Sequence, residues 1–475
     1  MPKQRADWSH PYQQLPEATF WTRVTPEPLH APSYVDWNVA LAAELGVSGL
    51  DSEPGSLAAF SAGQPRPEWD PIAQVYSGHQ FGQWAGQLGD GRGLYLGVSS
   101  YEGRSHEWHL KGAGQTRYSR MGDGRSVLRS AIREYLGCEY MAALGVPTTR
   151  ALCLLRSHTP VRREVMETGA TLCRIAKSHL RIGHLEHFYH RQAHTDLAVM
   201  LDFAIEALDP DLSGHTDRYE QVFVRYMDRS AALVAEWMAV GFVHGVMNTD
   251  NTALSGETLD YGPYGFISHW DPSYVINHTD QGGRYAYGEQ PRVMHWNIAC
   301  LAETLTPFVS VERLKAILDD FPEHYRMHFH RSMGKRLAVS AENPNLDALI
   351  RALQQTFATP GTFYSEAFDA LLHGGRFQLT RPDRLGDDWE ALCAQWEAEV
   401  EHALLPEARS IAPRWMLSHW LLQAVIDRAD RGIDDDIVAL RTAIAAGLHM
   451  VSDVAVALGG DPPPIDQPVH LSCSS

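Results

Sequence analysis

The chain predicts an α+β fold of two lobes with a cleft between them. Strand-like stretches occupy residues 83 to 114, punctuated by glycine, and 151 to 176, helical periodicities dominate from about 184 onward, and 475 residues exceed what one small core needs. A strand-rich first part followed by a helix-rich second part leaves the junction as the natural place for a site.

Residues 1 to 70 are rich in proline and aromatics, with one helical piece around 37–45 stopped at Gly46, and read as an arm laid over a core. Between Gln83 and Gly114, Leu94 to Leu96 and His106 to Lys111 flank a turn at Glu102 and Gly103. The second strand alternates, with Trp108 and Leu110 on one face and His109 and Lys111 on the other. Ser126 to Leu144 carries Leu128, Ile132, Tyr135, Leu136 and Leu144 at helical spacing, closed by Gly145 and Pro147. Residues 151 to 176 return to strand-like text. Helical patterns then occupy 192–208, 217–240, 296–305, 310–320, 346–357, 388–404, 415–430 and 436–457. Three consecutive prolines at 462 to 464 end regular structure, and the last residues form an extended tail.

Lys and Arg number 40 against 58 Asp and Glu, a net charge of −18, which excludes a general binder of nucleic acid because phosphate backbones demand a cationic surface. Local arginine clusters can still serve one phosphorylated small molecule. No apolar run reaches the length of a membrane span and the first residues lack a signal-peptide core, so a soluble, cytosolic protein is expected. Six cysteines lie scattered without CxxC spacing, which indicates neither a zinc site nor a disulfide framework; five are expected as buried thiols.

Residues 244 to 262 are the most telling stretch. A turn at Ser255-Gly256 would pair Leu254 with Glu257, Ala253 with Thr258, Thr252 with Leu259, and so Asn251 with Asp260. Opposed side chains on such a ribbon have Cβ atoms roughly 4.5–5.5 Å apart, close enough for an amide oxygen and a carboxylate to share one Mg²⁺. Asp250, the preceding residue, would act beside the ion. An ordinary polar hairpin with solvated acids is the competing reading.

Further pieces point to a nucleotide. Gly89-Asp90-Gly91-Arg92 offers backbone N–H groups and a guanidinium to phosphate oxygens. Lys111 follows on a strand, and Glu134 in the next helix could orient it by an ion pair. A second Gly-Asp-Gly-Arg, with Asp123 and Gly124, precedes that helix and offers another anion site. Arg174 and Arg181 could reach the outer phosphates. Singly, each of these is as easily a turn or a solvated charge. His179, His184, His187, His190 and His194 are spread around a helix, with no Cys or HExxH pattern to complete a metal site.

Several of these motifs resemble the selenoprotein O family of kinase-like proteins. The matching text is Tyr76 to Gly82 (YSGHQFG), Leu88 to Arg92, Leu110 to Thr116, Gly122 to Ser130, His244 to Asn251 (HGVMNTDN), Asp260 to Pro263, Asn277 to Asp280 and Ser472 to Ser475. The resemblance implies a protein-kinase-like fold, with an N-lobe at 71–183, a C-lobe at 184–335, a helical extension at 336–460 and a tail at 461–475. It implies that ATP binds in a flipped orientation and that AMP passes to protein Ser, Thr or Tyr hydroxyls, with Mg²⁺ or Mn²⁺ as cofactor. Carried over, Lys111 is the phosphate-binding lysine and Glu134 its partner. Gly89, Gly91, Arg92, Asp123, Gly124, Arg174 and Arg181 are nucleotide contacts, Asp250 is the proton acceptor, and Asn251 and Asp260 are metal ligands. His244-Gly245-Val246 has no Asp at its third position, unlike ordinary kinases. Cys473 stands where the family carries selenocysteine or cysteine, and its place on a Pro-rich tail favours redox reactivity. A conventional phosphotransferase and a nucleotide-binding pseudokinase are the alternatives.

Overall fold

The computed structural model describes residues 6–374, 377, 380, 382–449, 455 and 471. Cys473, its expected redox role and the extended tail other than Leu471 lie outside these residues, and the helix expected at 436–457 is Asp435–Ala446, ended at Gly447. The architecture is α+β. Nine strands form one antiparallel sheet in the order Trp21–Arg23, Ile72–Gln74, Gly93–Tyr101, Arg104–Lys111, Met166–Ala176, Arg150–Arg162 and Ser33–Trp37, with Asp7–Ser9 beside Gly93–Tyr101 and Ser126–Val127 beside Met166–Ala176. The first seventy residues, expected as an arm, contribute three of these strands.

Alternation explains how this sheet packs. Trp108 and Leu110 enter an apolar cluster with Trp37, Phe60 and Trp69, while His109 and Lys111 face the opposite side, as the period-two reading predicts. Glu102 and Gly103, both at positive φ (49° and 76°), form the turn between the two central strands. The helix Leu128–Ala143 covers the sheet through Leu128, Ile132, Tyr135 and Leu136. It begins two residues later than its periodicity suggests, because Ser126 and Val127 pair with Ala170 and Gly169. The first helix likewise starts at Val39, since Trp37 belongs to a strand and the Asn38 side chain caps Leu41 N.

The second half is helical, built on the long helices Arg218–Val240 and Phe321–Leu337. Among the described residues, the helices Ser56–Phe60, Ile182–Tyr189, Phe321–Leu337 and Tyr364–His373 lie outside the stretches expected to be helical. In Phe321–Leu337 most of the buried residues sit in the last turns, at Ser332 to Gly334, Arg336 and Leu337, so no apolar stripe marks its length. The expected helix 388–404 is Gly386–Glu399, ended at the extended Val400, and a further helix, Leu405–Ile411, follows it. Among the described residues no helix is long and apolar enough to cross a membrane.

Candidate active site

The segment 248–260 needs the clearest correction. Thr252 bridges Thr258, one residue short of the expected Leu259, and the reverse turn closes from Gly256 N to Ala253 O around Leu254 and Ser255. The cause is competition from elsewhere in the chain. The outgoing arm pairs with 180–182, through Ala253 with Arg181, Leu254 N to Leu180 O and Ile182 N to Thr252 O. The returning arm is taken by Pro147 and Thr149, bonded to the backbone of Thr258. Gly256 sits at φ +74° with Arg229 where a Cβ would go, so only glycine fits this turn.

Asn251 and Asp260 nevertheless line one cavity, because Asp260 adopts a left-handed backbone (φ 61°) that redirects its carboxylate. That cavity, about 700 Å³, is also lined by Gly89, Gly91, Arg92, Lys111, Asp123, Gly124, Arg174, Arg181 and Asp250. Glu134 stands directly behind it. Every sequence-predicted site residue therefore belongs to one region.

Its floor is an alternating chain of buried charges. Lys111 Nζ lies 2.5 Å from Glu134 Oε2, Arg174 Nε donates to Glu134 Oε1, Arg174 Nη2 donates to Asp260 Oδ1, and Arg181 Nη1 donates to Asp260 Oδ2 at 2.9 Å. Three cations against two carboxylates leave an excess of positive charge, to which Arg92 adds. Burial alone would raise both acids, but Arg174 and Lys111 hold Glu134 below the usual carboxylate range, and Arg174 and Arg181 hold Asp260 well below it. Burial, with Arg174 beside it, pushes the Lys111 ammonium down to about 8 against the pull of Glu134. Such a floor suits a polyanion.

The first glycine loop is held by its own acid. Asp90 is buried and accepts from Gln74 N at 3.0 Å, which leaves Gly89, Gly91 and Arg92 to line the cavity. The second loop, at 122–125, does not run directly into the helix. Asp123 is instead clamped by Arg163 at 2.6 and 3.1 Å, and Arg163, unforeseen from sequence, holds it below the usual carboxylate range against burial.

Asp250 lines the same cavity. Burial pushes its carboxyl up to about 7, against a hydrogen bond from Gln80 and the charge of Arg181. Its Oδ1 is buried and has no hydrogen-bond partner, while Oδ2 accepts from Gln80 Nε2 at 3.1 Å. Asn251 Nδ2 donates to Val246 O at 3.1 Å, which leaves the amide oxygen as its ligand atom. With a carboxylate of Asp260 that keeps free lone pairs, this all-oxygen set fits a hard divalent cation.

Sequence reasoning missed Gln80, Tyr76, His109 and Arg163 as members of this region. Arg181 lies over the Tyr76 ring at 4.7 Å, so the 76–82 motif was the signal available for two of them. Of the histidines, His184 and His187 are buried, whereas His190 packs on Trp84 and stands near His79 and Glu186 in a group of metal-ligand type.

Residues 4–410 match the family model described as protein adenylyltransferase SelO. A protein nucleotidyltransferase YdiU of Enterobacter sp. (strain 638) is 40% identical over 98% of this chain and 99% of its own length. The YdiU of Klebsiella pneumoniae (strain ATCC 700721 / MGH 78578) is 39% identical over the same shares, and that of Salmonella paratyphi B is 40% identical over 96% and 97%. A match of this extent, on a chain whose glycine loops, buried lysine and Asn/Asp pair meet in one cavity, makes this protein a member of the SelO family of protein adenylyltransferases.

Proposed function

We propose that this enzyme transfers AMP from ATP to Ser, Thr or Tyr hydroxyls of proteins, on a protein-kinase-like scaffold with the nucleotide flipped so that the α-phosphorus faces Asp250. One observation carries the reading: a cationic floor of Lys111, Arg174 and Arg181 and the carboxyl-bearing Asp250 line a single cavity. Lys111, Arg92, Arg174 and Arg181 hold the phosphates and stabilise the departing pyrophosphate, with Glu134 keeping Lys111 and Arg174 in place. Gly89, Gly91, Asp123 and Gly124 contact the rest of the nucleotide.

Asn251 and Asp260 are the residues that would hold the metal, with Mg²⁺ or Mn²⁺ the ions an oxygen set favours. When bound, such an ion neutralises charge on the phosphates. Asp250 accepts the proton of the acceptor hydroxyl as its oxygen attacks the α-phosphorus. A proton affinity near neutrality, which burial gives this carboxyl, is what a general base at physiological pH requires. The Lys111–Glu134 pair, on a strand and the following helix, supports the kinase-like scaffold.

Incubation with α-labelled and γ-labelled ATP in parallel, with Mg²⁺, Mn²⁺ or chelator, tests the reading. Protein-bound label from the α position alone, lost with chelator, is expected. Label from the γ position alone makes the enzyme a phosphotransferase and ends the proposal.

A further inference from the structure

The motif at 76–82 is a strong sequence signal to which the chemistry above gives no task. Its residues form a small hairpin, in which Gly78, His79 and Gln80 pair with Ala85, Trp84 and Gln83 around Phe81 and Gly82. This hairpin comes from the strand-rich half, yet it lies along residues 248–250 of the helical half. His79 N donates to Thr249 Oγ1 at 2.7 Å, Phe81 N donates to Asn248 Oδ1 at 3.1 Å and Tyr285 Oη at 2.9 Å, and Gln80 Nε2 donates to Asp250 Oδ2. The approach is close. A Cβ at position 78 would sit 3.0 Å from Asp250 Cβ and from Thr249 Oγ1.

Behind the contact stands a fully buried carboxylate. Glu186, in the helix Ile182–Tyr189, accepts from Thr249 Oγ1 through Oε2 and has His79 Nδ1 2.6 Å from Oε1. One acid thus ties the hairpin and the 248–250 segment to the same point. Removing it would leave a hydroxyl and a ring nitrogen unpaired in the interior.

We propose that Gln80, Thr249 and Glu186 are positioning residues for Asp250, fixing the place and rotation of its carboxylate for the acceptor hydroxyl; this rests on the reading of Asp250 as proton acceptor. The geometry gives each a part. Gln80 donates to Oδ2 while Gly78 lies close against the buried Oδ1, so the hairpin fixes the rotation of the carboxylate from both sides. Thr249 fixes the backbone immediately before Asp250, held from one side by Glu186 and from the other by the hairpin. None of the three lies among the groups that hold phosphate. A carboxylate free to rotate, or shifted by a fraction of an ångström, would therefore lose transfer while ATP still bound.

Thr249→Val keeps the shape and removes the hydroxyl; Thr249→Ser keeps the hydroxyl. The rate of transfer from α-labelled ATP to the proteins of a heat-inactivated bacterial lysate, ATP affinity by calorimetry and thermal melting are measured for both, for wild type and for Asp250→Ala. The expected result for Thr249→Val is a rate roughly 10–100-fold lower, as misplacement of a reacting group produces. Its ATP affinity should stay within about twofold and its melting temperature within about 4 °C, with Thr249→Ser recovering most of the rate. The inference is overturned if Thr249→Val transfers at the wild-type rate, if its loss of rate follows loss of ATP binding or of folding, or if serine fails to recover it. A fully active Asp250→Ala would instead sink the proton-acceptor reading, and this inference with it. An inactive Asp250→Ala beside an active Thr249→Val sinks the inference alone.

Discussion

Arg181 joins Asp250 to Asp260 with a single nitrogen: Nη1 lies 2.9 Å from the backbone oxygen of Asp250 and 2.9 Å from Oδ2 of Asp260. The residue proposed to take a proton and the residue proposed to hold metal are thereby locked into one geometry. Arg181 is itself fixed, being buried against the Tyr76 ring and backbone-paired to Ala253.

Charge alone cannot do this. In Arg181→Lys the shorter side chain keeps the sign but does not carry its nitrogen to the place where Nη1 meets both oxygens. Loss of one charge-assisted hydrogen bond in a buried setting should cost about 1–3 kcal/mol of stability, and misplacement of the site should lower transfer at least tenfold. Urea unfolding and α-label transfer measure the two effects. A variant equal to wild type in both would show that Arg181 supplies only charge.

Lys111 gives the site an alkaline limit. Its ammonium, pushed down to about 8 by burial and Arg174, loses its proton as pH rises through that value, and the phosphates lose a partner. KM for ATP in the wild type should therefore climb above pH 8, by about tenfold per residue lost as a charged contact. Bound ATP, being anionic, holds the proton on and moves the break upward at saturation, so kcat should break at higher pH than kcat/KM. Lys111→Arg, which stays charged, should have a flat KM across pH 7 to 9.5. A KM in the wild type that does not move with pH would refute the assignment.

How much of this was legible from sequence depends on where the determining contacts lie. Trp108, Leu110, His109 and Lys111 declare their faces by alternation, because a strand's period needs no information beyond itself. Asn251 and Asp260 were found by assuming a local hairpin; they reach one cavity although the register was wrong, since both arms pair with 180–182 and with Pro147 and Thr149 instead. The motif at 76–82 marks Gln80 without giving it a role, and nothing marks Glu186. Their partners, Asp250 and Thr249, are 170 and 63 residues away, and only the fold brings them together.

Acid sensitivity follows from two buried histidines next to the site. Burial, with Arg181 nearby, pushes His184 down to about 3, and burial with Arg191 pushes His187 down to about 4. In the unfolded chain both regain a pKa near 6.5, so below that pH the unfolded state binds protons that the folded state refuses. Their contribution is fully present above pH 6.5 and is lost as pH falls toward 4 and 3, at up to about 1.4 kcal/mol per pH unit for each. Glu107 and Glu257, raised by burial to about 7, act in the opposite sense between 4.5 and 7, since the folded state keeps protons there that the unfolded state releases. The net slope of the wild type is therefore not the test. The difference between wild type and His184→Asn, whose amide oxygen can still accept from Arg181 N, isolates one histidine. Measured by urea unfolding, that difference should shrink steadily in the wild type's disfavour from pH 6.5 to 4.5. Parallel curves would mean that His184 titrates alike in the folded and unfolded chain.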